Sequence, residues 1–245
     1  MKVAALALGA LLLVGADQRV AGYLDGKAVP DLMKVLPAPP QPGSARAEDD
    51  RATFASTRAL QGSDRWTLAT RDVSDDRFTA FGCALGMKLN AKSAPKLAAL
   101  FARMSDGGMT GRAKTGFAAK RPYLSQPGEI CEARTEHLAG NGDYPSGHTS
   151  TGWSTALVLA ELVPERATEI LRRGRIYGES RFVCGSHSRS AVEAGFLAGA
   201  ALVARWHAEA AFRADMEAAR VELATLRGKA PAPDGDRCRI EAAAE

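Results

Sequence analysis

Residues 149–163 read TSTGWSTALVLAELV, and this stretch decides the fold class of the chain. Apolar side chains lie on nearly every side of a helix drawn through it, and Glu161 is its one charged residue. A helix of this kind is buried, because it presents no face suited to water. The stretch therefore predicts a central helix that ends before Pro164, a residue that cannot continue it.

Helical periodicity continues on both sides of this central stretch. One apolar face, which follows the start signal Ser93 and Pro95, is formed by Leu97, Leu100, Phe101 and Met104. A second apolar face lies C-terminal to the central stretch and is formed by Val192, Phe196, Gly199, Val203 and Trp206. Their spacings of three and four residues are helical, and no run of alternating β-branched residues is present. The sequence predicts an all-α, single-domain helical bundle with a buried central helix.

Composition narrows the classes of function. Of the 245 residues, 46% are hydrophobic and 24% are charged, which is ordinary for a globular protein and excludes a mostly disordered chain. The net charge is only +4 and aromatic residues make up 6%, so neither a basic footprint nor stacking platforms indicate a nucleic-acid partner.

The N-terminus has the pattern of a secretory signal. Lys2 precedes an apolar run from Val3 to Val14, and Val14-Gly15-Ala16 is a small-residue cleavage site. We expect a signal peptide at 1–16 and a periplasmic or secreted protein. No other apolar run approaches the roughly 20 residues of a spanning helix, so no stable membrane insertion is expected. The mature chain then divides into three parts: a Pro/Gly-rich extended arm (17–45), a helical domain (46–228) and a C-terminal tail (229–245).

The chain has four cysteines, Cys83, Cys131, Cys184 and Cys238. An even number in an exported protein predicts disulfides, and four cysteines allow three connectivities. Of these we expect Cys83–Cys131, which flank the Lys114 segment, and Cys184–Cys238, which would tie the tail to a loop. No C-x-x-C spacing occurs, and we expect neither a metal site nor a cofactor.

Two segments supply cations. Lys114 and Arg121 are seven residues apart, so they share a face if the segment is helical, with Pro122 ending the helix. Arg181 offers a planar fork that suits phosphate oxygens. Taken singly, the first segment is better explained as a solvated basic face.

Two histidines stand at turns between helices. In Ser146-Gly147-His148, the serine caps the central helix, the glycine lets the backbone approach a ligand, and the free N–H groups point at an anion. His148 at this helix start is a candidate proton donor, and alone it could equally be a cap. His187 follows a Gly turn, as an ordinary loop residue could. Together, cations, histidines and a helix N-terminus predict phosphoryl transfer.

These segments, K-x₆-R-P, P-S-G-H and S-R-x₅-H, resemble the signature of the type 2 phosphatidic-acid-phosphatase superfamily. The wider match, which covers roughly residues 45–228, resembles the bacterial class A non-specific acid phosphatases; it is carried by the segments at 83–86, 143–149, 159–166 and 178–185. The resemblance implies an all-helical, exported acid phosphatase that needs no metal.

The resemblance also implies a role for each site residue. His187 would attack phosphorus and form a phosphohistidine, and His148 would protonate the leaving alcohol and then activate water. The phosphoryl oxygens would be held by Lys114, Arg121, Arg181, Ser146 and the Gly147 amide.

One position departs from the family pattern. The family has an Asp four residues after the nucleophilic histidine, where this chain has Ala191, and that Asp orients the imidazole. Glu193 is the nearest carboxylate in sequence and points to the far face of a helix. By analogy with a Ser-His-Asp triad, the absence of the orienting Asp predicts a loss of about 10² to 10⁴ in turnover.

Three functions therefore stay open. The first is an acid phosphatase, impaired by Ala191, whose partners are small phosphomonoesters, inorganic phosphate or vanadate. The second is a non-catalytic phosphate-binding relative, and the third is a vanadium-dependent haloperoxidase, which uses a similar anion cradle. The sequence leaves open whether the protein forms a homo-oligomer.

Overall fold

The computed structural model describes residues 20–73 and 76–244, and the signal peptide predicted at 1–16 lies outside them. Within these ranges the chain forms helices and no β-strand, so the predicted all-α fold is confirmed. The helices are α1 (Leu32–Val35), α2 (Ala45–Thr57), α3 (Asp64–Arg71), α4 (Arg77–Leu85), α5 (Pro95–Arg103), α6 (Met109–Phe117), α7 (Glu136–Gly140), α8 (Gly147–Leu162), α9 (Ala167–Cys184), α10 (Arg189–His207), α11 (Ala210–Leu226) and α12 (Gly235–Ala242).

Helix α8 is the buried central helix that the sequence predicts. It packs against α9 on one side and α10 on the other, and Val158 and Leu159 have no exposed surface. The helix begins at Gly147, because the Ser146 side chain accepts a hydrogen bond from the Thr149 N–H and caps it. It ends before Pro164, which opens a short 3₁₀ helix instead.

Helices α8 and α10 approach each other closely because α10 carries two glycines. A Cβ added to Gly199 would lie 2.7 Å from the Ser150 carbonyl oxygen, and one added to Gly195 would lie 2.8 Å from the Ser146 carbonyl oxygen. Both distances are too short for real carbon atoms, so only glycine permits this contact. The first turns of α8 and α10 consequently lie side by side.

The predicted helix after Pro95 is confirmed as α5, which packs against α11. Its residues Leu97 and Leu100 are fully buried, as their spacing indicates. Ala94 provides no side-chain cap, and the Glu222 carboxylate of α11 accepts hydrogen bonds from the backbone N–H groups of Lys96 and Leu97 instead. A helix end is thus satisfied from a neighbouring helix.

The described part of the Pro/Gly-rich arm, residues 20–45, lies along the helical body. Its apolar side chains Tyr23, Leu24, Leu32 and Leu36 are buried in the main core. The Tyr144 hydroxyl, next to the predicted P-S-G-H motif, donates a hydrogen bond to the Pro37 carbonyl at 2.7 Å. The arm therefore contributes to the core as well as covering it.

The expected disulfide pairing is wrong. The structure pairs Cys83 with Cys238 and Cys131 with Cys184. The first bond joins α4 to α12, a helix within the segment expected to be a C-terminal tail. The second joins residue 131 to the last residue of α9, where the Arg58 guanidinium holds both segments by donating to the carbonyls of Glu129 and Cys184.

No helix in residues 20–73 or 76–244 combines the length and apolar character that crossing a bilayer requires.

The two disulfides should differ in their contribution to stability. Replacing Cys83 and Cys238 by Ser opens a loop with a sequence separation of 155 residues, and the equivalent change at Cys131 and Cys184 opens one of 53 residues. In the chain-entropy model these changes lower the free energy of unfolding by up to about 5 and about 4 kcal/mol. Denaturant unfolding measures both, and a non-reducing peptide digest that joins Cys83 to Cys131 would contradict the pairing.

Candidate active site

One cavity of about 730 Å³ gathers most of the residues that the sequence singles out. Its wall includes Lys114, Arg121, Gly147, His148, Arg181 and His187. These residues come from α6, from the turn that follows it, from the start of α8, from the end of α9 and from the turn between α9 and α10. The predicted Ser146 is fully buried behind this wall.

Lys114 and Arg121 reach the cavity from different backbone segments, and the shared helix face considered from their spacing does not exist. Helix α6 ends at Phe117 because Ala118 adopts a left-handed conformation, with φ of 51°. The backbone is extended by Arg121, which precedes the 3₁₀ helix Pro122–Leu124. The two cations meet because this turn folds the chain back.

Arg121 binds three chain segments together. Its side chain is 2% exposed, its Nε donates to the Asn141 carbonyl at 2.7 Å, and its Nη1 donates to the Ser186 carbonyl at 2.7 Å. Nη1 also lies 3.2 Å from Nε2 of His187. A buried guanidinium held in this way presents a fixed positive charge beside the imidazole.

Arg181, in the last turn of α9, is fully buried. Its Nη2 donates to the Glu132 carboxylate, whereas Nε and Nη1 have no hydrogen-bond partner within the described part of the chain. Buried N–H groups are almost always paired in folded proteins, so orphaned donors on a cation call for an explanation. Beside a cavity, donors of this kind favour an anionic ligand.

The start of α8 brings an imidazole and a backbone surface to the cavity. The Ser146 hydroxyl accepts hydrogen bonds from the N–H and from the hydroxyl of Thr149, so its role in this structure is to cap the helix. Gly147 and His148 line the cavity in the first turn. Nε2 of His148 lies 3.3 Å from the Val73 carbonyl oxygen.

His187 occupies the turn between α9 and α10. Gly185, with φ of 86°, ends α9, and the backbone N–H of His187 bonds to the Arg181 carbonyl. Ser188 then caps α10 through the Ala191 N–H. These constraints hold the His187 side chain, which is 2% exposed, at the cavity wall.

A carboxylate that the sequence argument missed orients His187. Oδ1 of Asp143 lies 2.9 Å from Nδ1 of His187, and the Ser188 hydroxyl donates to Oδ2 of Asp143 at 2.6 Å. The expectation that Ala191 leaves the imidazole without a carboxylate is therefore wrong. Asp143 is 44 residues from His187 in sequence, and its signals are its place three residues before the capping Ser146 and in the segment 143–149 that carries the wider resemblance.

Burial and neighbouring charges set the protonation of the site. Burial first, and then the cations Arg121 and Lys114, hold the pKa of His187 well below its usual value. Burial and these cations therefore favour the neutral imidazole, and its Nε2 is available as a base or nucleophile when Nδ1–H donates to Asp143. Burial raises the pKa of Asp143 to about 6, and burial together with Arg121 lowers the pKa of Lys114 to about 8.

A second carboxylate without a sequence signal faces the cations. Glu132 lines the cavity, and its Oε1 accepts hydrogen bonds from Nη2 of Arg181 and from the Ser186 hydroxyl. Although burial raises its pKa, the charge of Arg181 and the bond from Ser186 outweigh burial and hold it below the usual value. Glu132 is therefore ionised inside a site built mainly of cations.

Across the described ranges, no group of three or more His, Cys, Asp and Glu side chains is arranged to hold a metal ion. Cationic donors, Lys114, Arg121 and Arg181, line the cavity together with the carboxylates Glu132 and Asp106, and the cations fit oxyanions.

Comparison with known proteins agrees with this chemistry. Residues 95–213 match the PAP2 superfamily. The chain is 44% identical to the acid phosphatase of Zymomonas mobilis subsp. mobilis, across 87% of this chain and 83% of that protein. It is 34% identical to the non-specific acid phosphatase of Providencia stuartii, across 84% and 86%, and 35% identical to that of Salmonella typhimurium, across 77% and 78%.

The low pKa of Lys114 predicts a pH limit for anion binding. Below about pH 8 the amine is charged, and above it the amine is neutral, so the affinity for inorganic phosphate should fall as pH rises through that value. Lys114→Arg keeps the charge and should move the fall to higher pH. Calorimetric titration at several pH values measures this, with Lys120→Arg, at an exposed position, as the control. The same fall in both variants would contradict the assignment.

Proposed function

The chain belongs to the PAP2 superfamily, and on that premise we propose that this acid phosphatase hydrolyses small phosphomonoesters through a phosphohistidine intermediate on His187. The observation that carries the proposal is the arrangement around this imidazole. Nδ1 is bonded to Asp143 and Nε2 lies beside the buried Arg121, while Arg181, which lines the same cavity, has unpaired donors.

In the first step, the Nε2 lone pair of His187 attacks phosphorus. The N–P bond forms as the bond between phosphorus and the ester oxygen breaks, and His148 gives a proton to the departing alkoxide. Nucleophilic attack needs a neutral imidazole. Burial and the neighbouring cations hold the pKa of His187 down and so favour its neutral form.

In the second step, His148 takes a proton from water as the water oxygen attacks phosphorus. The N–P bond breaks, its electrons return to Nε2 of His187, and inorganic phosphate leaves. His148 has returned to its protonated form, so the two half-reactions balance.

The cations stabilise the charge on the transferring group. Lys114, Arg121 and the free donors of Arg181 surround the cavity, and the Gly147 amide adds the N-terminal end of α8. Ser146 supports this surface from behind, by fixing the helix start, rather than by a direct contact. Vanadate, which adopts the five-coordinate geometry of the transition state, should occupy the same cradle and inhibit.

Asp143 removes the main reason to favour a non-catalytic phosphate-binding relative. That reading depended on the missing carboxylate after His187, and Asp143 supplies a carboxylate to the same ring nitrogen. We therefore propose a working enzyme rather than an impaired one. No observation favours the haloperoxidase reading, which peroxide-dependent bromination would reveal.

We also propose that the protein is exported. Two disulfides fit an oxidising compartment, and the described helices include none that could span a membrane. Recovery outside the cytoplasm of a protein that begins near Asp17 would support export, and an intact Met1 on cytoplasmic protein would contradict it.

The proposed intermediate is tested at His187. His187→Ala should abolish hydrolysis of p-nitrophenyl phosphate, because no nucleophile remains, whereas affinity for inorganic phosphate should survive on the cations. A rapid alkaline quench should trap radioactive phosphate on His187 of the wild type, and acid should release it because the N–P bond is sensitive to acid. Label on another residue, or undiminished hydrolysis by the variant, would overturn the mechanism.

The role of Asp143 is tested by moving the carboxylate. Asp143→Asn should lower kcat by about 10² to 10⁴, with the affinity for inorganic phosphate changed far less, because an orienting carboxylate acts mainly in the transition state. Adding Ala191→Asp to this variant should restore part of kcat, since that position lies one helical turn beyond His187.

The control for this experiment is Asp50→Asn. Asp50 bonds to the backbone and hydroxyl of Ser190 at the start of α10 and makes no bond to His187. It should affect thermal stability more than kcat. If Asp143→Asn leaves kcat unchanged, Asp143 does not orient the nucleophile. Thermal unfolding of each variant separates loss of function from loss of fold.

A further inference from the structure

Glu132 places a negative charge inside the anion cradle, and the proposed mechanism does not use it. Its side chain is 14% exposed, and its Oε1 contacts Nη2 of Arg181 and the Ser186 hydroxyl. The segment that carries it is fixed, because Cys131 is disulfide-bonded to Cys184 and the Cys131 N–H donates to the Cys184 carbonyl at 3.1 Å. The carboxylate is therefore held in place at the end of α9.

The charges around Glu132 come from every side of the cavity. The cavity is lined by Lys114, Arg121, His148, Arg181 and His187, the last bonded to Asp143, and also by Arg77, Asp106 and His137. Arg181 binds Glu132 through Nη2, so an anion that binds the remaining donors of Arg181 lies next to the Glu132 carboxylate. Glu132 repels an anionic ligand in this position, and the repulsion grows in proportion to the charge of the ligand.

We propose that Glu132 is a specificity residue that makes the site select singly charged phosphate groups over doubly charged ones. This inference rests on the proposed function, because it takes the cradle to be the phosphoryl site. A phosphomonoester carries one negative charge below its second pKa of about 6 and two above it. The repulsion by Glu132 acts once on the first form and twice on the second, so it disfavours the dianion.

The alternative is that Glu132 only anchors Arg181. These roles differ in what they predict for ligand charge. Loss of an anchor weakens all anions alike, because Arg181 loses its orientation. Loss of the Glu132 charge changes the preference between anions, because the repulsion that is removed is larger for a ligand with two charges than for a ligand with one.

Sulfate and perrhenate provide the test, since both are tetrahedral oxyanions and they carry two charges and one charge over the accessible pH range. Their affinities are measured by calorimetry at one acidic pH on the wild type and on Glu132→Gln, which keeps the size and the acceptor oxygen. The matched control is Glu129→Gln, which removes the same charge from an exposed position on the same segment.

We expect Glu132→Gln to raise the ratio of sulfate to perrhenate affinity by about tenfold or more, and Glu129→Gln to leave it within about twofold. For p-nitrophenyl phosphate, we compare the rate of hydrolysis above the second pKa of the substrate with the rate below it. The ratio of these rates should be higher in Glu132→Gln than in the wild type.

An unchanged ratio, or equal weakening of both anions, would overturn the specificity role and leave the proposed phosphatase mechanism standing. A wild type that binds neither anion would overturn the cradle itself, and with it both the proposed function and this inference.

Discussion

The contact between the first turns of α8 and α10 is the constraint on which the site depends. The Ser146 N–H donates to the Ala191 carbonyl at 2.9 Å, and Gly195 allows this approach because a Cβ there would lie 2.8 Å from the Ser146 carbonyl oxygen. The contact brings His148 and His187 to one cavity. It also places Asp143, three residues before Ser146, against the imidazole of His187.

Burial of like charges gives this site its chemical character. Lys114, Arg121 and Arg181 are each 9% exposed or less, so their mutual repulsion is poorly screened. Backbone carbonyls, Asp143 and Glu132 offset part of the repulsion, and orphaned donors of Arg181 remain. Burial, together with the same cations, lowers the pKa of His187 and favours its neutral form, so one arrangement serves both anion binding and a neutral nucleophile.

Helix α9 is held in place by a buried ion pair. Arg173 forms a buried ion pair with Asp72, next to α3, and the Ser180 hydroxyl donates to the same carboxylate at 2.7 Å. Ser180 and Arg181 are adjacent, so a residue that fixes the helix directly precedes one that faces the ligand cavity. A buried pair of this kind specifies an orientation more than it adds stability.

Much of the fold, and the cations and histidines of the site, could be predicted from the sequence alone. The apolar run at 149–163, the helix after Pro95 and the cations and histidines of three motifs are local patterns, because helix periodicity and turn chemistry depend on neighbouring residues. The disulfide partners, the turn at Ala118, the carboxylate of Asp143 and that of Glu132 were decided only by the tertiary structure. The disulfides and the two carboxylate contacts join segments that are far apart in sequence, and spacing along a chain carries no information about which segments pack together. The turn at Ala118 depends on a left-handed conformation that the sequence does not mark, because the residue is not glycine.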